Sequence, residues 1–175
     1  YGKSYENELE SEITIQILNK MGFCKKSTHR KYDIGVITPY NAQKKLISEK
    51  ISNLNIDINE KKENENKYKS IIKWKVNFYS SSEGKEKDYI IINTVRSNPK
   101  NNIGFLISPN RLNVTLTRAK YGIIIIGDAE CLADAKGEKN NKYNIWRYLI
   151  KYYQDLGLLV EFDENNKEKM FKPIK

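Results

Sequence analysis

Three short apolar runs, Ile34-Gly-Val-Ile37, Tyr89-Ile-Ile-Ile92 and Ile123-Ile-Ile-Ile126, constrain this chain more than any other feature. Each is too short for a buried helix, and none alternates as a strand with one wet face does. Runs of this kind read as strands buried on both faces, which belong to parallel sheets covered by helices on either side. The intervening segments supply those helices. Residues 6–21 repeat Leu9, Ile13, Ile17 and Met21 at helical spacing, with acidic residues in the first turns and Gly22 at the end. Further helices are expected from Ala42 to about Ile51, over Arg111–Ala119 and over Asn144–Leu156, the last with Ile145, Tyr148, Leu149 and Tyr152 on one face. Ile71–Phe78 alternates as another strand, and Leu158-Leu-Val160 reads as a short final one. Strands and helices in alternation define an α/β class with a mostly parallel sheet. Ligands of such sheets gather at the carboxyl ends of the strands, where the motifs below are expected to lie.

The 175 residues suit one domain, taken here as 1–162, with a flexible Asn/Lys-rich insertion near 52–69 and a polar tail at 163–175. The first residue is not Met, so the chain reads as a piece of a longer protein. No apolar run approaches the ~20 residues needed to span a bilayer, and residues 1–20 carry no signal-peptide pattern. No membrane partner is expected. The net charge of +9 favours polyanions through phosphate contacts and counterion release, although lysines mixed with Asn and Glu also suit a merely solvated face. Cys24 and Cys131 have no CxxC partner, and His29 stands alone. That set argues against a disulfide, a zinc site and a serine-hydrolase triad.

The chemistry concentrates in Arg111-Leu-Asn-Val-Thr-Leu-Thr-Arg118-Ala-Lys-Tyr-Gly122, two arginines seven residues apart before a buried strand. A guanidinium is always charged, and its planar fork of donors matches a phosphate. Yet the chain has no Gly-x-x-x-x-Gly-Lys-Ser/Thr phosphate loop and no Asp-Glu pair after a buried strand to hold magnesium. Any nucleotide chemistry would therefore use this chain as the far side of a shared site.

The phrase ending at Arg118 resembles motif VI of superfamily 1 helicases, in the branch of the up-frameshift RNA helicases. Ile34-Gly-Val-Ile-Thr-Pro-Tyr-Asn-Ala-Gln43 looks like motif IV, and Glu83-Gly-Lys-Glu-Lys-Asp88 with Tyr89-Ile-Ile-Ile-Asn-Thr-Val-Arg-Ser-Asn98 looks like motif V. Trp146-Arg-Tyr-Leu-Ile-Lys-Tyr-Tyr153 is similar to the same branch, so the resemblance runs from about Ser4 to Val160. It implies the second, C-terminal RecA-like domain of a helicase motor, a three-layer α/β fold with helices on both faces of the sheet. It also implies that ATP binds between this domain and an upstream RecA-like domain, which would bring the phosphate loop and the Mg2+ ligands.

By the same resemblance, Arg118 matches the catalytic arginine that reaches the γ-phosphate, and Glu86 the glutamate that binds ribose. Gly84 would let the backbone approach the nucleotide, and Tyr40, Gln43 and Lys44 are candidates for the nucleotide cleft. Thr38, Pro39, Thr94, Arg96, Ser97 and Asn98 follow buried strands and are candidates for single-stranded RNA, or DNA, through sugar and phosphate. Each has a plainer reading. Arg118 could be a helix-end cation, Glu86 a surface charge, Tyr40 a packing residue, and Arg96-Ser97 part of a network ordering its loop. Arg111 reads as ordering its loop. The implied activity is ATP-dependent RNA unwinding in nonsense-mediated mRNA decay, with decay or translation-termination factors as partners and a cytoplasmic, also nuclear, location. The chain departs from the family at Ser80-Ser-Ser-Glu83-Gly84, where an aspartate, an aromatic and a glutamine are usual, and at Lys44 and Asn110, where arginines are common. Two alternatives stand beside this reading: a related helicase acting on DNA or RNA–DNA hybrids, and a non-hydrolysing scaffold that binds RNA or protein.

Overall fold

The computed structural model describes residues 4–23, 33–62, 74–78, 86–136, 143–162 and 171–173. They divide into two compact units, Tyr1–Arg96 with Ser108–Gly127, and Ser97–Ile107 with Asp128–Lys175.

In the first unit, helix α1 spans Glu8–Phe23, strand β1 Ile34–Thr38, helix α2 Asn41–Lys62, strand β2 Trp74–Phe78 and strand β3 Lys87–Asn93. Helix α3 (Pro109–Leu116) and strand β4 (Ala119–Ile126) complete it. The four strands are all parallel, in the order β2-β1-β3-β4. The Ile-rich runs form the centre: Ile34 pairs with Tyr89, Ile37 with Ile92, and Ile91 with Ile124. Every residue of β1 is buried.

The crossovers place helices on both faces. The chain moves one way from β1 through α2 to β2 and the other way from β3 through α3 to β4, and right-handed crossovers of opposite direction lie on opposite faces. Side chains agree. Ile37, Ile90 and Ile92 form a cluster against which Leu116, the last residue of α3, packs. One residue on, Asn93 points the other way, its Oδ1 3.0 Å from the Thr14 hydroxyl of α1. This is the three-layer α/β RecA-like arrangement expected from sequence.

Two helices differ from expectation. In α1, Leu9 is exposed, whereas Glu10, Ser11 and Thr14 are buried beside Ile13, Ile17 and Leu18. The Ser11 and Thr14 hydroxyls donate to the carbonyls of Glu8 and Glu10, so those polar groups enter the interior already satisfied. Helix α2 buries Gln43, Ile47 and Ile51 at four-residue spacing, then continues to Lys62, well past Ile51. The Lys and Glu residues of that extension are good helix formers, which an Asn-rich composition conceals. Residues 63–69 of the expected insertion lie outside the described residues.

In the second unit, a 3₁₀ turn covers Gly104–Ile107, helix α4 spans Ala129–Ala133 and helix α5 Ile145–Asp155. Strands β5 (Val160–Phe162) and β6 (Phe171–Pro173) pair antiparallel, so a stretch expected as polar tail contains a strand. Asp128 caps α4 by accepting from the Cys131 amide at 2.9 Å, and Asn144 caps α5 through the Trp146 amide at 3.0 Å. Trp146 is buried, and its indole donates to the Leu106 carbonyl at 2.8 Å.

Candidate nucleotide and nucleic-acid sites

Because all four strands of the first unit are parallel, its sheet has one amino edge and one carboxyl edge. The candidate residues separate between them. Glu86 immediately precedes β3, and Arg118 immediately precedes β4, so both lie at the amino edge. Thr38 ends β1, Pro39, Tyr40, Gln43 and Lys44 follow it, and Thr94 and Arg96 follow β3, at the carboxyl edge. The expectation that every motif falls at a strand's carboxyl end is therefore corrected for Glu86 and Arg118. Gly84 lies outside the described residues.

At the amino edge the starts of three strands are tied together. The Lys87 amide donates to the Arg118 carbonyl at 2.8 Å, which sets Glu86 and Arg118 on adjacent strand entries. Lys87 pairs with Asp33, and Asp33 and Asp88 exchange amide hydrogen bonds of 2.8 and 2.9 Å. Arg118 follows the last turn of α3, where its amide donates to the Thr115 carbonyl at 3.2 Å. Its side chain is half-buried, and Nε is buried with no hydrogen-bond partner among the described residues. A guanidinium N–H held in this state can donate to a charged oxygen at little further desolvation cost. Glu86 is exposed beside it.

The carboxyl edge is a hydrogen-bonded knot. Asn7 caps α1, its Oδ1 accepting from the Glu10 amide at 3.1 Å. Gln43 is 0 % exposed, and its side-chain amide is engaged internally: Oε1 accepts from the Asn7 amide at 2.7 Å, and Nε2 faces the Asn7 carbonyl at 3.1 Å and Asn93 Oδ1 at 3.3 Å. Tyr40 is also buried, packed edge-on to Tyr5 with ring centroids 5.4 Å apart. Arg96 lies over the other ring of that pair, its guanidinium carbon 4.2 Å from the Tyr5 centroid. Burial raises the Tyr40 phenol above its ordinary range, Arg96 lowers it, and Tyr5 adds to the rise. The geometry thus gives Gln43 and Tyr40 internal roles and sets neither beside Glu86 and Arg118. Lys44 is half-buried on the first turn of α2.

Thr38 and Thr94 are buried and Pro39 half-buried. Thr38 Oγ1 has no hydrogen-bond partner among the described residues. The Thr94 amide donates to the Ile126 carbonyl at 3.1 Å, and Gly127 passes so close that a Cβ there would sit 2.1 Å from Thr94 Oγ1. Gly127→Ala is accordingly expected to displace Thr94 and to lower stability by about 1–3 kcal/mol, as overpacking does. Thermal unfolding of the variant reads this directly, and a melting temperature equal to wild type would mean that the clash relaxes freely.

Ser97 and Asn98 belong to the second unit, where both order their loop. Ser97 Oγ donates to Asp128 at 2.6 Å, and Asn98 brackets the turn by donating to the Asn102 carbonyl at 2.9 Å and accepting its amide at 3.0 Å. Both side chains hydrogen-bond within the protein. Glu10 and Asn7, which hold the carboxyl edge, were absent from the candidate set. The signal available was an Asn followed three residues later by a Glu at a helix start.

Among the described residues no group of three or more His, Cys, Asp or Glu side chains could hold a metal ion. No helix among them is long and apolar enough to cross a membrane.

A family described as AAA domain matches residues 1–130. Over 160 residues, 91% of this chain, the sequence is 37% identical to the regulator of nonsense transcripts 1 homolog of Neurospora crassa. It is 38% identical over 163 residues to regulator of nonsense transcripts 1 of Dictyostelium discoideum, and 35% identical over 163 residues to ATP-dependent helicase NAM7 of Saccharomyces cerevisiae. Each of these alignments also covers 91% of the chain. The aligned stretch makes up only 13%, 10% and 14% of those three proteins.

Proposed function

Since the chain belongs to the AAA domain family, with relatives in the up-frameshift group of superfamily 1 helicases, we propose that it is the C-terminal RecA-like half of an ATP-dependent RNA helicase motor acting in nonsense-mediated mRNA decay. The observation that carries this reading is Arg118: a half-buried, permanently charged residue whose backbone adjoins the strand entry that follows Glu86, with Nε unpartnered among the described residues, in a chain without a phosphate loop. Arg118 supplies charge to the γ-phosphate as the phosphoryl group transfers, in the manner of an arginine finger. Glu86 accepts from the ribose hydroxyls. The upstream RecA-like domain brings the phosphate loop and the Mg2+ ligands.

Single-stranded RNA crosses the carboxyl edge, where the half-buried Pro39 and Arg96 meet sugar and phosphate and the buried Thr38 and Thr94 shape the strand ends beneath them. Tyr40 and Gln43 support that edge from within, and Lys44 adds charge without a bidentate fork. Decay or translation-termination factors are its protein partners, in the cytoplasm and also the nucleus.

The test is steady-state ATP hydrolysis by the full-length protein alone, with single-stranded RNA and with single-stranded DNA. Stimulation by RNA above DNA is the expected result. Equal stimulation would favour a helicase of broader substrate, and hydrolysis absent under all three conditions would favour a binding scaffold.

A further inference from the structure

Val95 has a backbone φ of +71°, the left-handed region that a β-branched side chain avoids. It is buried, at 5 % exposure, and sits directly between Thr94 and Arg96. Such a conformation persists only where the surroundings over-determine it. Here the cause is a carboxylate. Glu10, 4 % exposed, places both oxygens 2.9 Å from the Val95 amide, which they share. Its Oε1 also lies 3.5 Å from the Thr94 hydroxyl, and Asn7 Nδ2 donates to the Val95 carbonyl at 3.4 Å. Both peptide groups of Val95 are therefore gripped from the first turn of α1. Glu10 stands at the third position of that helix, where the dipole favours a negative charge.

The grip has a directional result. The left-handed turn at Val95 follows the end of β3 and carries Arg96 over Tyr5, which packs in turn on Tyr40. An extended backbone at Val95 would send Arg96 elsewhere and release Thr94 from Glu10. Neither Glu10 nor Asn7 need touch ligand to set where these two side chains stand.

We infer that Glu10, assisted by Asn7, is a positioning residue for nucleic-acid binding: its carboxylate holds Val95 left-handed and so presets Arg96 for the sugar-phosphate backbone, with the buried Thr94 held beneath it. This rests on the reading of Arg96 as a nucleic-acid contact, and the experiment separates the two. In the full-length protein, Glu10→Gln keeps the shape but removes the charge and one acceptor. Three quantities are compared with wild type: hydrogen exchange at the Val95 amide, affinity for a single-stranded RNA oligonucleotide, and the KM for ATP. The expected result is faster exchange and RNA affinity weakened roughly 10-fold, the scale of a lost buried hydrogen bond to a charged group, with the KM for ATP unchanged. Adding Val95→Gly then supplies a residue that takes positive φ unaided. It should recover most of the RNA affinity of the Glu10→Gln protein while leaving exchange fast.

That recovery is what a role confined to anchoring α1 would not produce. Slow exchange in Glu10→Gln overturns the clamp itself. Fast exchange with undiminished RNA affinity, or no recovery on adding Val95→Gly, overturns the positioning role. A wild-type protein that shows the slow exchange but binds no RNA overturns the nucleic-acid reading of this edge, and the positioning role with it.

Discussion

Replacing Arg118 with alanine is expected to lower ATP hydrolysis by the full-length protein roughly 10³-fold or more, the contribution measured for arginine fingers in phosphoryl transfer. Arg118→Lys should recover little, because an ammonium is a point charge and cannot reproduce two parallel donors on one phosphate. Affinity for single-stranded RNA should stay unchanged in both variants, since Arg118 enters β4 at the sheet edge opposite Thr94 and Arg96. Folding should hold as well: the backbone groups that tie this edge, the Arg118 carbonyl and amide, survive the substitution. Steady-state hydrolysis at saturating RNA is the measurement, and undiminished turnover in Arg118→Ala would remove the side chain from catalysis. Loss of RNA binding alongside turnover would instead mark it as a structural cation.

The largest effect on stability is expected at Trp146. Its ring is 1 % exposed, and its indole N–H is spent on the Leu106 carbonyl. Trp146→Ala removes the ring and leaves a cavity, at a cost of about 3–5 kcal/mol. Trp146→Phe keeps most of the apolar surface but orphans the carbonyl, which costs about 1–3 kcal/mol. Denaturant unfolding should therefore rank wild type above Phe and Phe above Ala. If Phe unfolds with wild-type stability, the indole hydrogen bond contributes nothing. Asn144 makes the site demanding, because it caps α5 through the Trp146 amide while its own Nδ2 faces the carbonyls of Leu132, Ala133 and Ala135. A side chain that enlarges or tilts the Trp146 pocket would disturb that cap too.

The sheet was legible because its signal is local. Three apolar runs of about four residues name three buried strands without reference to anything distant, and all three pair as neighbours in the middle and at one side. The buried face of α1 was not legible for the opposite reason. Spacing alone put Leu9 inside, yet the structure exposes it and buries Glu10, whose partner Val95 is 85 residues away. No window along the chain contains both halves of that interaction. Helix α4 was missed because five residues are too few for periodicity, although Asp128 announces its start as a cap. Placement of Arg118 and Glu86 was a different kind of miss. Each precedes its apolar run in the sequence, so their edge could have been read directly, but the general habit of α/β ligands at carboxyl ends obscured it.

Strand β3 begins beside Glu86 and ends beside Thr94, and from Tyr89 to Ile92 it is paired with β1 on one side and β4 on the other. Its seven residues span roughly 20 Å, at about 3.3 Å per residue. Ligands at its two ends would be too far apart to touch each other, yet both would act on the same strand. From Tyr89 to Ile92 that strand is paired on both sides, while its register shifts between Lys87 and Tyr89, so its middle is held firmly and its Glu86 end has room to adjust. The isoleucine ladder that stabilises the sheet thus also gives the two ends a common mechanical link.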